Sequence, residues 1–193
     1  MSTLDRRQIR NGLAEAVKYG VIRDPKLFAY IEKNVHRLLS GNPQTLKEVV
    51  LRCSRIKADV VMEDELETKG VRTILNFGHT IGHAIEAAGQ FKIYHHGEAI
   101  ALGMRVACYI SRRLKMLNFK DEERINALLT NVGLPSKIKS LSIQKILQLM
   151  AHDKKFVGAK NRFVLTKGIG RISIRENVPM PLIAEAINCY SSR

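Results

Sequence analysis

Residues 72–86 read RTILNFGHTIGHAIE, and the two glycines in that run, Gly78 and Gly82, limit what this chain can fold into more than any other feature. Apolar residues recur around them at helical spacing, which predicts a helix from about Val71 to Ala88. A glycine inside a helix costs about 1 kcal/mol relative to alanine. Something must offset that loss, and close approach of another backbone or of a ligand is the usual reason. At ~100° per residue, Ile74, Gly78, Ile81 and Ile85 take one side of this helix. Arg72, Asn76, His79, His83 and Glu86 fall within roughly an 80° arc on the other. Solvated faces are usually built of Lys, Glu and Gln. An Arg, an Asn and two histidines in line read instead as groups converging on a ligand.

The chain holds six histidines in 193 residues. Four of them, His79, His83, His95 and His96, lie between positions 75 and 99. Histidines four apart on one helix face can share a zinc ion, as in HExxH. Thr80 follows His79, so HExxH itself is missing. A catalytic zinc takes about three protein ligands and keeps a position open. The third would come from His95, His96, Glu98 or Glu15, and spacing does not choose among them.

Around this stretch the patterning is mostly helical. A first helix runs from Leu4 to Ile22, with Ser2 or Thr3 as its cap. Asp24-Pro25 opens a second, through about Asn34. Asn42-Pro43 interrupts, and a third extends from Thr45 to about Glu65. A fifth, from Gly97 to about Leu114, is apolar nearly all round and is therefore expected at the centre. Gly133-Leu134-Pro135 is a stop, and Ile143 to Met150 is a short sixth piece. Only Arg162 to Thr166 and Arg171 to Ile174 read as strands, joined across residues 167–170. The expectation is one mainly α domain over residues 1–193, with a small β element near residues 162–174. Its one GxG, Gly168-Ile169-Gly170, falls in that hairpin and not at a strand-to-helix turn, so it is rejected as a dinucleotide site.

A net charge of +14 and a pI near 10.0 call for an anionic partner. Aromatic content is 6%, tryptophan is absent, and no run alternates basic with aromatic residues as a stacking platform would. That argues against nucleic acid and for an anionic small substrate, and it leaves a basic helical nucleic-acid module as the alternative from another class. No apolar run approaches the ~18 residues of a membrane span. Three isolated cysteines, Cys53, Cys108 and Cys189, point to a reducing, cytoplasmic setting.

The run from Arg72 to Glu86, followed by HGEAIALGM at 96–104, resembles the metal-binding half of the 3-dehydroquinate synthase family. So do GLAEAVKYG at 12–20, KADVV at 57–61, Asp153-Lys154-Lys155 and RFVL at 162–165. That family belongs to the sugar phosphate cyclases. The resemblance implies a zinc or cobalt ion held by Glu15, His79 and His96. His83 would then lie beside a substrate phosphate with Asn76 and Lys154, and Lys18 would face the substrate hydroxyls. Lys57 and Arg72 would take the substrate carboxylate, a task that suits a guanidinium because it can grip both oxygens. The implied substrate is 3-deoxy-D-arabino-heptulosonate 7-phosphate, an anionic sugar phosphate. The implied product is 3-dehydroquinate, made in the shikimate pathway. NAD is expected from an N-terminal NAD-binding domain that these residues do not resemble, and the full enzyme is expected as a homodimer. A related cyclase making an inosose or a valiolone is the nearest alternative.

Overall fold

The computed structural model describes residues 4–66, 68, 70–151 and 161–192. Side-chain caps set most of the early helix starts. Asp5 accepts from the Gln8 N–H and Gln8 from the Asp5 N–H, opening α1 (Arg6–Ile22). The cap is thus Asp5, not Ser2 or Thr3, because only Asp5 is placed one residue ahead of the first helical turn. Asp24 accepts from the N–H groups of Lys26 and Leu27 and, with Pro25 in the first position, opens α2 (Pro25–Leu39). That helix continues past its expected end at Asn34, where a local departure from helical geometry (φ −117°) bends it without ending it. Asn42 caps α3 (Pro43–Glu63) through the Thr45 N–H, so Asn42-Pro43 begins a helix as well as ending a loop.

The predicted fourth helix is two elements. A 3-10 segment, Val71–Asn76, comes first, and α4 (His79–Ala88) follows after a break at Phe77 and Gly78. Gly78 carries φ +79°, which is unfavourable for any side chain bearing a Cβ. Arg72 and Asn76 therefore do not share a continuous helix face with His79, His83 and Glu86.

α5 (His96–Arg113) is buried along nearly its whole length, as its all-round apolar pattern predicted. It packs against α1, α4, α6 (Phe119–Asn131), α8 (Met180–Cys189) and the first strand of the hairpin. α7 (Ile143–Ala151) packs on α4. α6 and α8 were not anticipated from the sequence. The hairpin pairs β1 (Arg162–Gly168) antiparallel with β2 (Arg171–Glu176), with a bulge between Thr166 and Gly168. It docks on α5 through Ser111, whose Oγ accepts from the Thr166 N–H at 3.0 Å and donates to the Ala107 carbonyl at 2.7 Å. Gly168-Ile169-Gly170 is the turn of this hairpin, as expected. Among the described residues, no helix is long and apolar enough to cross a membrane.

Candidate metal centre

Glycine contacts bring three elements to one point. A Cβ on Gly82 would stand 2.6 Å from Ile100 Cδ1 and 3.1 Å from its Cα, and one on Gly103 would stand 2.8 Å from the Gly82 nitrogen. The backbones of α4 and α5 therefore nearly touch, which accounts for the glycines in RTILNFGHTIGHAIE. A Cβ on Gly97 would lie 2.6 Å from Asn11 Cα, so the first turn of α5 is pressed against α1 in the same way. Arg7 reinforces that contact with a two-pronged grip on Glu98, both bonds at 2.8 Å. α4 and α1 consequently flank the start of α5.

At this junction stand Glu15 from α1, His79 from the first turn of α4 and His96 from the first turn of α5. Glu15 Oε1 is 3.6 Å from His79 Nε2 and 3.7 Å from His96 Nε2. One donor atom from each residue falls within 4.8 Å of the others. These separations are too long for hydrogen bonds. They come close to the ~3.3 Å that follows for donors about 2.0–2.1 Å from one tetrahedral ion. Glu15 Oε1 is also buried without a hydrogen-bond partner, while Oε2 accepts from Lys18 Nζ at 2.6 Å. A buried carboxylate oxygen left this way is costly unless a cation or donor meets it.

The imidazoles are prepared for the same task. His79 Nδ1 lies 3.1 Å from the Phe77 carbonyl, an acceptor only, so the proton sits on Nδ1 and the Nε2 lone pair faces Glu15. Burial, reinforced by the Lys18 ammonium, pushes the His79 pKa down to about 4, against the pull of Glu15 and the Phe77 carbonyl. His79 is thus neutral near pH 7, the form that binds a metal. His96 Nδ1 meets the Glu86 carboxylate at 3.1 and 3.2 Å. The donor set of one carboxylate and two imidazoles fits a divalent ion such as zinc or cobalt.

Of the remaining expected residues, Lys18 and His83 stand beside this trio. Lys18 is buried, against Glu15. His83 lies edge-on to His79, with ring centroids 5.2 Å apart, and tilted toward His96, 6.0 Å away. It lines a cavity of about 330 Å³ with Thr80, Glu86, Phe91 and Met150 among its walls. Asn76 ends the 3-10 segment, three residues before His79. Arg72 is its second residue, held by its N–H to Asp64 at 3.2 Å and by its guanidinium to the Glu65 carbonyl at 3.4 Å. Lys57 is exposed on α3. Lys154 lies outside the described residues. Of the other ligand candidates, Glu98 is taken by Arg7 and the His95 N–H, and His95 is the exposed residue preceding α5.

Similar architecture is known. A 2-deoxy-scyllo-inosose synthase solved with carbaglucose-6-phosphate, NAD+ and Co2+ superposes with a TM-score of 0.85 at 30% identity, over 97% of this chain and 53% of that one. A 2-epi-5-epi-valiolone synthase from Streptomyces hygroscopicus subsp. jinggangensis, solved with NAD+ and Zn2+, shares the fold with a TM-score of 0.87 at 23% identity, over 97% of this chain and 52% of its own. The fold is therefore that of the helical half of sugar phosphate cyclases. Within that class, the profile described as 3-dehydroquinate synthase C-terminal matches residues 12–156, and the chain belongs to this family. Relatives named 3-dehydroquinate synthase include one from Nitrosospira multiformis, 42% identical over 187 residues (97% of this chain, 51% of the relative). Another, from Desulforamulus reducens, is 44% identical over 179 residues (92% and 50%). The chain spans about half the length of the curated relatives it matches.

Proposed function

We propose that this chain is the metal- and substrate-binding half of a 3-dehydroquinate synthase, acting on 3-deoxy-D-arabino-heptulosonate 7-phosphate to give 3-dehydroquinate and phosphate. The observation that carries the proposal is Glu15 Oε1: buried, without a hydrogen bond, and faced by two imidazole Nε2 atoms. Glu15, His79 and His96 would hold the ion. A divalent cation there supplies Lewis acidity toward neighbouring hydroxyl and ketone oxygens. Lys18 fixes the Glu15 carboxylate and offers a positive charge to substrate hydroxyls. His83, at the cavity wall, can hold or hand over a proton at the leaving phosphate oxygen, with Asn76 and Lys154 as neutral and cationic partners. Arg72 and Lys57 take the substrate carboxylate.

In this reading NAD is bound by the other half of the complete protein, because Gly168-Ile169-Gly170 here is a hairpin turn with no helix to receive a pyrophosphate. A homodimer of the complete protein and a cytoplasmic location belong to the same proposal. Relatives at 42–44% identity carry the dehydroquinate name, whereas the inosose synthase stands at 30%, which favours dehydroquinate as product. Aromatic content of 6% with no tryptophan supports an anionic small substrate over nucleic acid as the partner of the basic surface.

The test joins the preceding half of the Nitrosospira multiformis relative in frame to Met1. With NAD+, Co2+ and the heptulosonate phosphate, the fusion is expected to release phosphate and form dehydroquinate. The 193-residue chain alone, and the fusion carrying Glu15→Ala, are expected to do neither. Product from the chain alone, or from the Glu15→Ala fusion at the unsubstituted rate, would overturn the proposal.

A further inference from the structure

Glu86 stands outside the Glu15, His79 and His96 trio, yet among the described residues it alone lies within hydrogen-bond distance of the His96 ring. The two candidate ligand histidines differ in how they are held. His79 has a side chain 12% exposed and is fixed by packing and the Phe77 carbonyl. His96 has a side chain 49% exposed, so packing alone leaves its ring freer to turn. Glu86, on α4, is itself only 11% exposed and reaches across the α4–α5 seam to put both oxygens near His96 Nδ1. A carboxylate only accepts, so this contact requires the proton on Nδ1. An unconstrained histidine ring prefers its proton on Nε2, the wrong nitrogen for binding an ion beside Glu15.

We infer that Glu86 is a positioning residue that holds His96 in its Nδ1–H tautomer and turns Nε2 toward Glu15. The inference rests on the metal-binding reading above. It gives the centre one imidazole oriented by backbone and one by a carboxylate, the arrangement in which a partner one step removed from the ion sets its affinity. His83, Glu86 and His96 also bring one donor atom each within 4.8 Å, so a second cation on that side is the competing role for Glu86.

Nitrogen-detected NMR of the metal-free, 15N-histidine chain tests this directly, with His96 assigned by its loss in His96→Ala. The expected result is a proton on Nδ1 of His96 in the unsubstituted chain and in Glu86→Gln, whose amide oxygen still accepts. In Glu86→Ala the proton should move largely to Nε2, while His79 keeps its own tautomer and so reports that the fold is intact. Calorimetry with Co2+ should show one site, weakened about 10–100-fold in Glu86→Ala and mostly recovered in Glu86→Gln. An unchanged His96 tautomer with unchanged affinity in Glu86→Ala would overturn the inference. So would two Co2+ ions per chain falling to one in Glu86→Gln, which would make Glu86 a ligand. Unweakened Co2+ binding in Glu15→Ala would instead break the metal-site reading, and the tautomer shift would still support the hold of Glu86 on His96.

Discussion

The α4–α5 seam and the α1–α3 seam are built in opposite ways. Across the first, glycines let two backbones come together, leaving no room for even one added methyl group. Across the second, side chains meet: Leu13, Ala16, Leu46 and Val49 line a groove of about 230 Å³ that also reaches Ile9, Val50 and Cys53. Val50, on its α3 side, remains 45% exposed. The tight seam fixes His79 and His96 relative to each other, whereas Glu15, which also lines the loose groove, is held toward them by the close contact of α5 with α1 at Gly97. Precision is spent where donor atoms must converge.

The largest effect should come from filling the tight seam. Gly103→Val places methyl groups against the Gly78 carbonyl and should cost about 3 kcal/mol. For a chain of this size that is a fall of roughly 6–12 °C in Tm, read by thermal unfolding. A change under about 2 °C would show that the seam yields as readily as the groove. Next, Zn2+ at about 100 times its Kd should add about 2.7 kcal/mol of stability. That corresponds to a rise of roughly 5–11 °C, and Glu15→Ala should remove it. At the loose seam, Val50→Ser should stay within about 0.5 kcal/mol of the parent. Smallest of all should be the reactivity of Cys53 toward iodoacetamide at pH 8. Burial in the apolar groove, aided by the nearby Glu15 charge, pushes its thiol pKa up to about 12. Exposed Cys189 should label quickly and Cys53 slowly, by mass spectrometry. Equal rates would mean that the groove opens freely.

The sequence made the central helix legible because α5 has no polar face to misread. It made the tight seam legible because two glycines at helical spacing demanded a close neighbour. The break at Gly78 was hidden, since a 3-10 turn followed by an α-helix keeps nearly the same apolar spacing; only a glycine with positive φ marks it. α6 is weakly apolar, although Asn118 as cap and Asp121 and Glu122 in its first turn were readable signals. α8 is short and carries Pro181 near its start. At the site, His79 and His83 were visible as a pair. Glu15 was one of four candidates for the third place and was singled out only through the resemblance, because periodicity cannot show what α1 meets in space. Glu86 was placed on the right face, but its partner lies ten residues on, past a loop that no helical wheel describes.

The most direct test of the account is a Co2+ titration of the metal-free chain, followed by the visible spectrum and by calorimetry. The expected result is one ion per chain, with binding abolished separately by Glu15→Ala, His79→Ala and His96→Ala and retained in His83→Ala. Loss of binding in His83→Ala equal to that in His79→Ala, with Glu15→Ala still binding, would contradict it.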